Sequence, residues 1–124
     1  MAELEGLLAD RGLLRDKGYI DGGWVPADSR FAVTDPATGE AVAQVARLDA
    51  AQSRAAVDAA QAAFAGWSTD LPQHRGGLLR RWFELIIQHR EDLALIMVAE
   101  QGKPLSEARG EIDYAASFVE FYAE

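Results

Sequence analysis

The sequence predicts a mixed fold in which two β-hairpins are followed by about four α-helices. Three observations carry that prediction. Glycine-containing turns interrupt short β-prone runs before residue 47, the apolar repeat lengthens to helical spacing after Leu48, and Gly102-Lys103-Pro104 separates two apolar-striped segments.

The first 16 residues form a lead in which Leu4, Leu7 and Leu8 share helical spacing, weakened by Gly6 and Gly12, so a short helix leaning on a larger body is expected. Residues 17–47 hold the hairpins. Tyr19-Ile20 and Trp24-Val25 flank Asp21-Gly22-Gly23, where glycine reaches the positive φ of a tight turn. Arg30 to Thr34 and Glu40 to Ala46 flank Asp35-Pro36-Ala37-Thr38-Gly39, with proline fixing φ and glycine supplying a left-handed position.

Residues 49–124 are helical. Asp49 and Gln52 have capping-box spacing, Ala56, Val57, Ala60, Phe64 and Trp67 make one face, and Gly66 is read as the end of that helix. Pro72 suits a first turn, and Leu79, Trp82 and Ile86, widened by Leu78 and Leu85, predict a second helix ending near His89 or Arg90. A third runs from Glu91 to about Gln101, with Gly102 as its C-terminal cap and Pro104 beyond. The last starts near Pro104 to Ser106 and has two stripes, Leu105, Ala108, Ile112, Ala115 and Val119 on one side and Tyr114, Phe118 and Phe121 on another. It runs to Glu124 without a cap and with carboxylates at its negative pole, so the polypeptide is expected to continue in a longer parent.

Composition narrows the function. Net charge is −8, which gives no broad footprint for a nucleic-acid backbone. Zero cysteines exclude a disulfide framework, a zinc-thiolate site and a thiol nucleophile within these residues. The acidic lead lacks the pattern of a secretory signal, and the longest apolar run, Leu93 to Ala99, is far short of the roughly 20 residues that cross a bilayer. A cytoplasmic protein is expected.

Little chemistry is self-contained. No GxGxxG, GxxxxGK[ST], GxSxG or HExxH occurs. His74 and His89 lack a third ligand, so surface histidines are favoured over a metal site. Glu91-Asp92 and Glu111 with Asp113 read as solvated faces, because neighbours one or two apart on a helix diverge. Arg75, Arg80, Arg81 and Arg90 read as a soluble helix surface in preference to an anion site. Lys103 can be catalytic if buried, but at a corner between helices its ammonium is expected to meet the preceding helix's last carbonyls.

Trp24-Val25-Pro26, Thr34-Asp35-Pro36-Ala37-Thr38-Gly39-Glu40 and Glu100-Gln101-Gly102-Lys103-Pro104 occur in that order, with an Ala-rich and an Arg-rich helix between. Together they resemble the aldehyde dehydrogenase superfamily. Leu79-Arg80-Arg81-Trp82-Phe83 and the run from Gly102 through Phe118 are most similar to its NAD(P)-dependent succinate-semialdehyde branch. The resemblance implies an α/β parent with a Rossmann-like cofactor domain, a catalytic domain and an oligomerisation arm, of which residues 1–124 are an incomplete N-terminal part. It implies a cysteine nucleophile, a glutamate and an oxyanion-holding asparagine, all beyond residue 124, so no catalytic or cofactor-binding residue is assigned here and this chain alone is expected to be inactive. NAD or NADP, an aldehyde substrate and a homo-oligomeric state are expected of the parent, with no nucleic acid or membrane partner.

Two features carry over from the resemblance. Tyr114 falls where the family lines the mouth of its substrate tunnel, with Phe118 one turn on, and core packing is the alternative for both. Val33, Thr34 and Glu100 match positions where some members hold a monovalent cation, with a solvated Glu100 as the alternative. Two other functions remain open at this stage: a different semialdehyde or aldehyde specificity, and a non-enzymatic helical module that binds a partner through Tyr114, Phe118 and Phe121. The module predicts a well-covered fold, and the segment predicts exposed apolar surface.

Overall fold

In the computed structural model, which describes residues 2–124, the chain opens with α1 (Ala2–Leu7) and a 3-10 turn at Arg11–Leu13. Two antiparallel hairpins follow, β1 (Gly18–Ile20) with β2 (Gly23–Val25) and β3 (Arg30–Thr34) with β4 (Ala41–Ala46). Four helices complete it: α2 (Ala50–Thr69), α3 (Pro72–Gln88), α4 (Arg90–Gln101) and α5 (Leu105–Ala123).

The first hairpin turns on Asp21 and Gly22, at φ 50° and 75°, a two-residue pair whose twist matches that of the flanking strands. Gly23, expected in the turn, pairs with Ile20 instead, because two left-handed residues already reverse the chain. In the second hairpin the Asp35 N–H donates to the Glu40 carbonyl and the Gly39 N–H to the Asp35 carbonyl, so Glu40 belongs to the loop and not to β4. Pairing passes from Val33–Ala43 to Thr34–Ala41, which makes Val42 the extra residue of a bulge.

The capping box of α2 forms, with the Gln52 N–H 2.8 Å from Asp49 Oδ1 and the Asp49 N–H 3.1 Å from Gln52 Oε1. The helix does not stop at Gly66. The Ser68 and Thr69 hydroxyls donate to carbonyls of Ala65 and Gly66 in its last turn, and Asp70 ends it. Its expected apolar face is largely in solvent, with Val57, Phe64 and Trp67 exposed. Pro72 takes the first turn of α3 and His89 closes it, while Gly102 at φ 69° caps α4 by donating to the Val98 carbonyl at 2.8 Å.

The core lies where α3, α4 and α5 meet. Ala94, Ala108 and Ile112 are its centre, with Ile86, Leu93, Met97, Val98 and Leu105 packed around them. Along α5 the buried residues are Ala108, Ile112 and Ala116, whereas Ala115, expected inside, is exposed. The strict four-residue step reflects one ridge of α5 lying against its neighbours. Small side chains set that close approach, and Gly76 of α3 lies so near α5 that an added Cβ would sit 2.6 Å from the Ala123 carbonyl oxygen.

In the lead, Leu4 and Leu8 are buried but Leu7 is exposed, because an i, i+4 pair covers only one side of so short a helix. Elsewhere coverage is thin. All three tryptophans are exposed, and no large side chain among the described residues is fully buried. The accessible surface is 8508 Å², about 2,000 Å² more than the roughly 6,500 Å² expected of a self-contained monomer of this mass.

Candidate functional site

Helix α5 carries the candidate site on the face opposite its buried ridge. With Ala108, Ile112 and Ala116 turned inward, Tyr114 and Phe118 point outward one turn apart, and their rings meet edge to face at 4.9 Å. Tyr114 is 65% exposed and Phe118 49%. Neither is a core residue in this chain. Phe121 and Tyr122 extend the ridge with a second edge-to-face pair at 5.2 Å. Beside Tyr114 is a shallow depression lined by Glu107, Gly110 and Glu111, where glycine leaves the ring uncrowded.

Ion pairs fix the rotation of α5. Arg90 grips Asp113 with two nitrogens, at 2.5 and 2.6 Å, and Arg109 does the same to Glu91, its Nη2 at 2.7 Å from Oε2. Arg80 donates to Glu120 at 2.7 Å, tying α3 to the last turn of α5. The hydrogen bond from Arg90 holds Asp113 below the usual carboxylate range, and that from Arg109 holds Glu91 below it. Arg80 and Arg90 are pushed further toward their charged form by their bonds to Glu120 and Asp113. Arg80, Arg81 and Arg90 are thereby engaged with carboxylates, Arg81 with Glu84 at 3.7 Å.

Lys103 does not meet the carbonyls of α4. Its Nζ lies 2.7 Å from Glu111 Oε1, because Gly102 turns the chain so that the lysine faces the first turns of α5. His74 Nδ1 sits against the Asp70 carboxylate, which that contact lowers in pKa. No group of three or more His, Cys, Asp or Glu side chains arranged for a metal ion occurs among the described residues.

The second candidate set is spread over two elements. Val33 and Thr34 lie at the end of β3 where the bulge interrupts the ladder, and Glu100 is exposed in the last turn of α4. These elements adjoin, since a Cβ on Gly102 would come 2.7 Å from the Pro36 ring. Glu100 also borders an open cleft of about 440 Å³ between the lead, β4 and α4.

One expectation fails at Asp92. It is not on a solvated face: only 6% exposed, it accepts the Ala9 N–H at 2.9 Å and the Asp10 N–H at 2.8 Å. Those two backbone donors hold its pKa below the usual range. The lead that supplies them is 82 residues away in sequence, so only the position of Asp92 in the first turn of a helix, where acidic residues gather anyway, was visible beforehand.

This arrangement of hairpins and helices has known counterparts. Residues 24–124 match the aldehyde dehydrogenase family, and the chain belongs to it. It is 48% identical over 119 residues to a glutarate-semialdehyde dehydrogenase of Pseudomonas putida, covering 94% of this chain and 25% of the relative. An Escherichia coli NADP-dependent succinate-semialdehyde dehydrogenase is 45% identical over the same shares of the two chains. The crystal structure of an E. coli NADP-dependent enzyme superposes with a TM-score of 0.91 at 44% identity, over 94% of this chain and 24% of that one. The chain thus spans about a quarter of the length of the relatives it matches. The exposed aromatic ridge and thin core favour a segment of such a fold over a self-covered binding module.

Proposed function

We propose that residues 1–124 are the N-terminal portion of an NAD(P)-dependent aldehyde dehydrogenase whose substrate is succinate semialdehyde, with glutarate semialdehyde as the near alternative. The observation that carries it is the combination of an unbroken family match over residues 24–124 with about 2,000 Å² of surplus surface. A segment shaped to cover a neighbouring sheet has that signature. A glutarate-semialdehyde, a succinate-semialdehyde and an aspartate-semialdehyde dehydrogenase stand at 48%, 45% and 49% identity, so the choice among their substrates rests on the wording around Gly102 to Phe118.

The residues present do not fit a dinucleotide. Gly22 and Gly39 stand in hairpin turns and Gly102 between two helices against Pro36, so none opens a helix from a strand to cradle a pyrophosphate. When bound elsewhere in the parent, the nicotinamide supplies the hydride acceptor. This chain contributes position. Tyr114 and Phe118 wall the approach for the substrate's aliphatic chain, and their rings support each other edge to face. The carbonyls of Val33 and Thr34 with the Glu100 carboxylate would hold a monovalent cation through hard oxygen donors, which would fix the end of β3 relative to α4. A homo-oligomeric parent in the cytoplasm belongs to the same proposal, and sizing and fractionation test both.

The test is steady-state kinetics on the product of the complete reading frame, following reduction of NAD+ and NADP+ with succinate semialdehyde, glutarate semialdehyde and acetaldehyde. The expected result is the highest kcat/KM for succinate semialdehyde. Preference for glutarate semialdehyde replaces the substrate, and no reduction with any aldehyde refutes the proposal. Residues 1–124 alone should show no turnover.

A further inference from the structure

Arg11, Leu13, Leu14, Arg15 and Asp16 of the lead line the 440 Å³ cleft together with Ala43, Val45 and Ile96. The lead is fastened at two places. At the far end the Asp16 carbonyl accepts the Ala46 N–H at 2.8 Å, the Asp16 carboxylate meets Arg30 at 2.8 Å, and the Arg15 guanidinium lies 4.8 Å over the Trp24 ring. From there the chain enters β1 directly, so this end cannot leave without opening a hairpin. At the near end the fastening is the buried Asp92 carboxylate on the Ala9 and Asp10 N–H groups, beside the Leu4 and Leu8 side chains.

The two ends are unequal. Helix α1 has six residues, well under the roughly 12 to 15 at which an isolated helix becomes even marginal in water. Once detached it has no means of persisting. Asp10 is already committed, its carboxylate accepting the Gly12 N–H at 2.8 Å to start the 3-10 turn, so it offers no substitute acceptor. Glu91 is turned away to Arg109 and Arg90. His89, the remaining titratable neighbour, favours the ionised Asp92 carboxylate.

We propose that residues 9–16 are a strap over this cleft and that Asp92 is its clasp, so that the cleft opens by release at Ala9 and Asp10 while the Asp16 end stays in place. Losing the carboxylate frees the strap and leaves the junction of α3, α4 and α5 closed. Amide hydrogen exchange tests this on the product of the complete reading frame as wild type, Asp92→Asn and Glu91→Gln. In Asp92→Asn the Ala9 and Asp10 amides should exchange about 10- to 100-fold faster, the range that follows from a charged hydrogen bond, while Ile112 and Ala116 in α5 and Ala46 at the far fastening keep wild-type protection. Glu91→Gln should leave Ala9 and Asp10 unchanged. Three results overturn the proposal: no protection of Ala9 and Asp10 in the wild type, no acceleration in Asp92→Asn, or acceleration of Ile112 and Ala116 by the same factor, which would make Asp92 a general support of the fold.

Discussion

Adjacent glycines in α3 should respond to alanine with opposite signs. Gly76 and Gly77 both lie inside the helix, where alanine is favoured over glycine by about 0.5–1 kcal/mol because it restricts the unfolded chain. Their surroundings differ. A Cβ on Gly77 meets nothing within 4 Å, whereas one on Gly76 would be 2.6 Å from the Ala123 carbonyl oxygen, a backbone atom that moves only if the last turn of α5 moves. Gly77→Ala should therefore stabilise by about 0.5–1 kcal/mol. Gly76→Ala carries the same gain set against an overpacking cost of roughly 1–3 kcal/mol, for a net loss of up to about 2 kcal/mol. The propensity gain cancels between the two variants, so their difference, about 1–3 kcal/mol, reports the α3–α5 contact alone. Urea unfolding followed by circular dichroism measures it, and thermal midpoints should separate by about 4 °C per kcal/mol. If Gly76→Ala is as stable as Gly77→Ala, the close approach of α3 to α5 is wrong.

Other expectations concern the core, the charges and the bare surface. Ile112→Ala deletes most of a nearly buried side chain between α4 and α5 and should cost about 2–4 kcal/mol by urea unfolding, against less than about 0.5 kcal/mol for Ser117→Ala on the exposed face; equal effects would place the core elsewhere. Asp16, Asp70, Glu91, Asp92 and Asp113 are all held below the ordinary carboxylate range by their donors. A carboxyl lowered in the folded state contributes stability above its unfolded pKa and loses it as pH falls through the folded one. Helix content should therefore hold down to about pH 4.5 and drop below about pH 4, and loss already at neutral pH would contradict the pairing. A dye for apolar surface should bind the wild-type chain strongly and bind a Phe118→Ser, Phe121→Ser double variant less, because both rings are exposed on one helix; undiminished binding would locate the sticky surface elsewhere.

Local signals were legible where one residue decides a local geometry. Asp49 with Gln52 formed its reciprocal cap, Pro72 took a first turn, and Gly102 adopted the left-handed conformation that lets α4 end and α5 begin at an angle. Such features depend on φ preferences and hydrogen bonds within four residues, which any surroundings leave intact. Gly66 misled for the same reason: it permits a stop without requiring one, and hydroxyls of Ser68 and Thr69 could serve the final turn. Tyr114 and Phe118 were singled out as tunnel residues through the resemblance alone, and their exposure was decided by the rotation of α5 that Arg90 and Arg80 hold in place.

From sequence alone came the order and type of the four strands and the α-helices, the family, and the absence of a thiol nucleophile from these residues. Periodicity and turn chemistry are properties of a short stretch of chain, so they survive without knowledge of what lies alongside. Only the tertiary structure decided which faces are covered. It showed that Ala116 and not Ala115 faces α3 and α4, that Lys103 meets Glu111, and that Asp92 holds backbone amides of the distant lead. It also left the stripes of Val57, Phe64, Trp67 and Trp82 in solvent. An apolar stripe records that a surface is suited to burial, but the free energy of burying it depends on a second surface that the stripe itself does not specify.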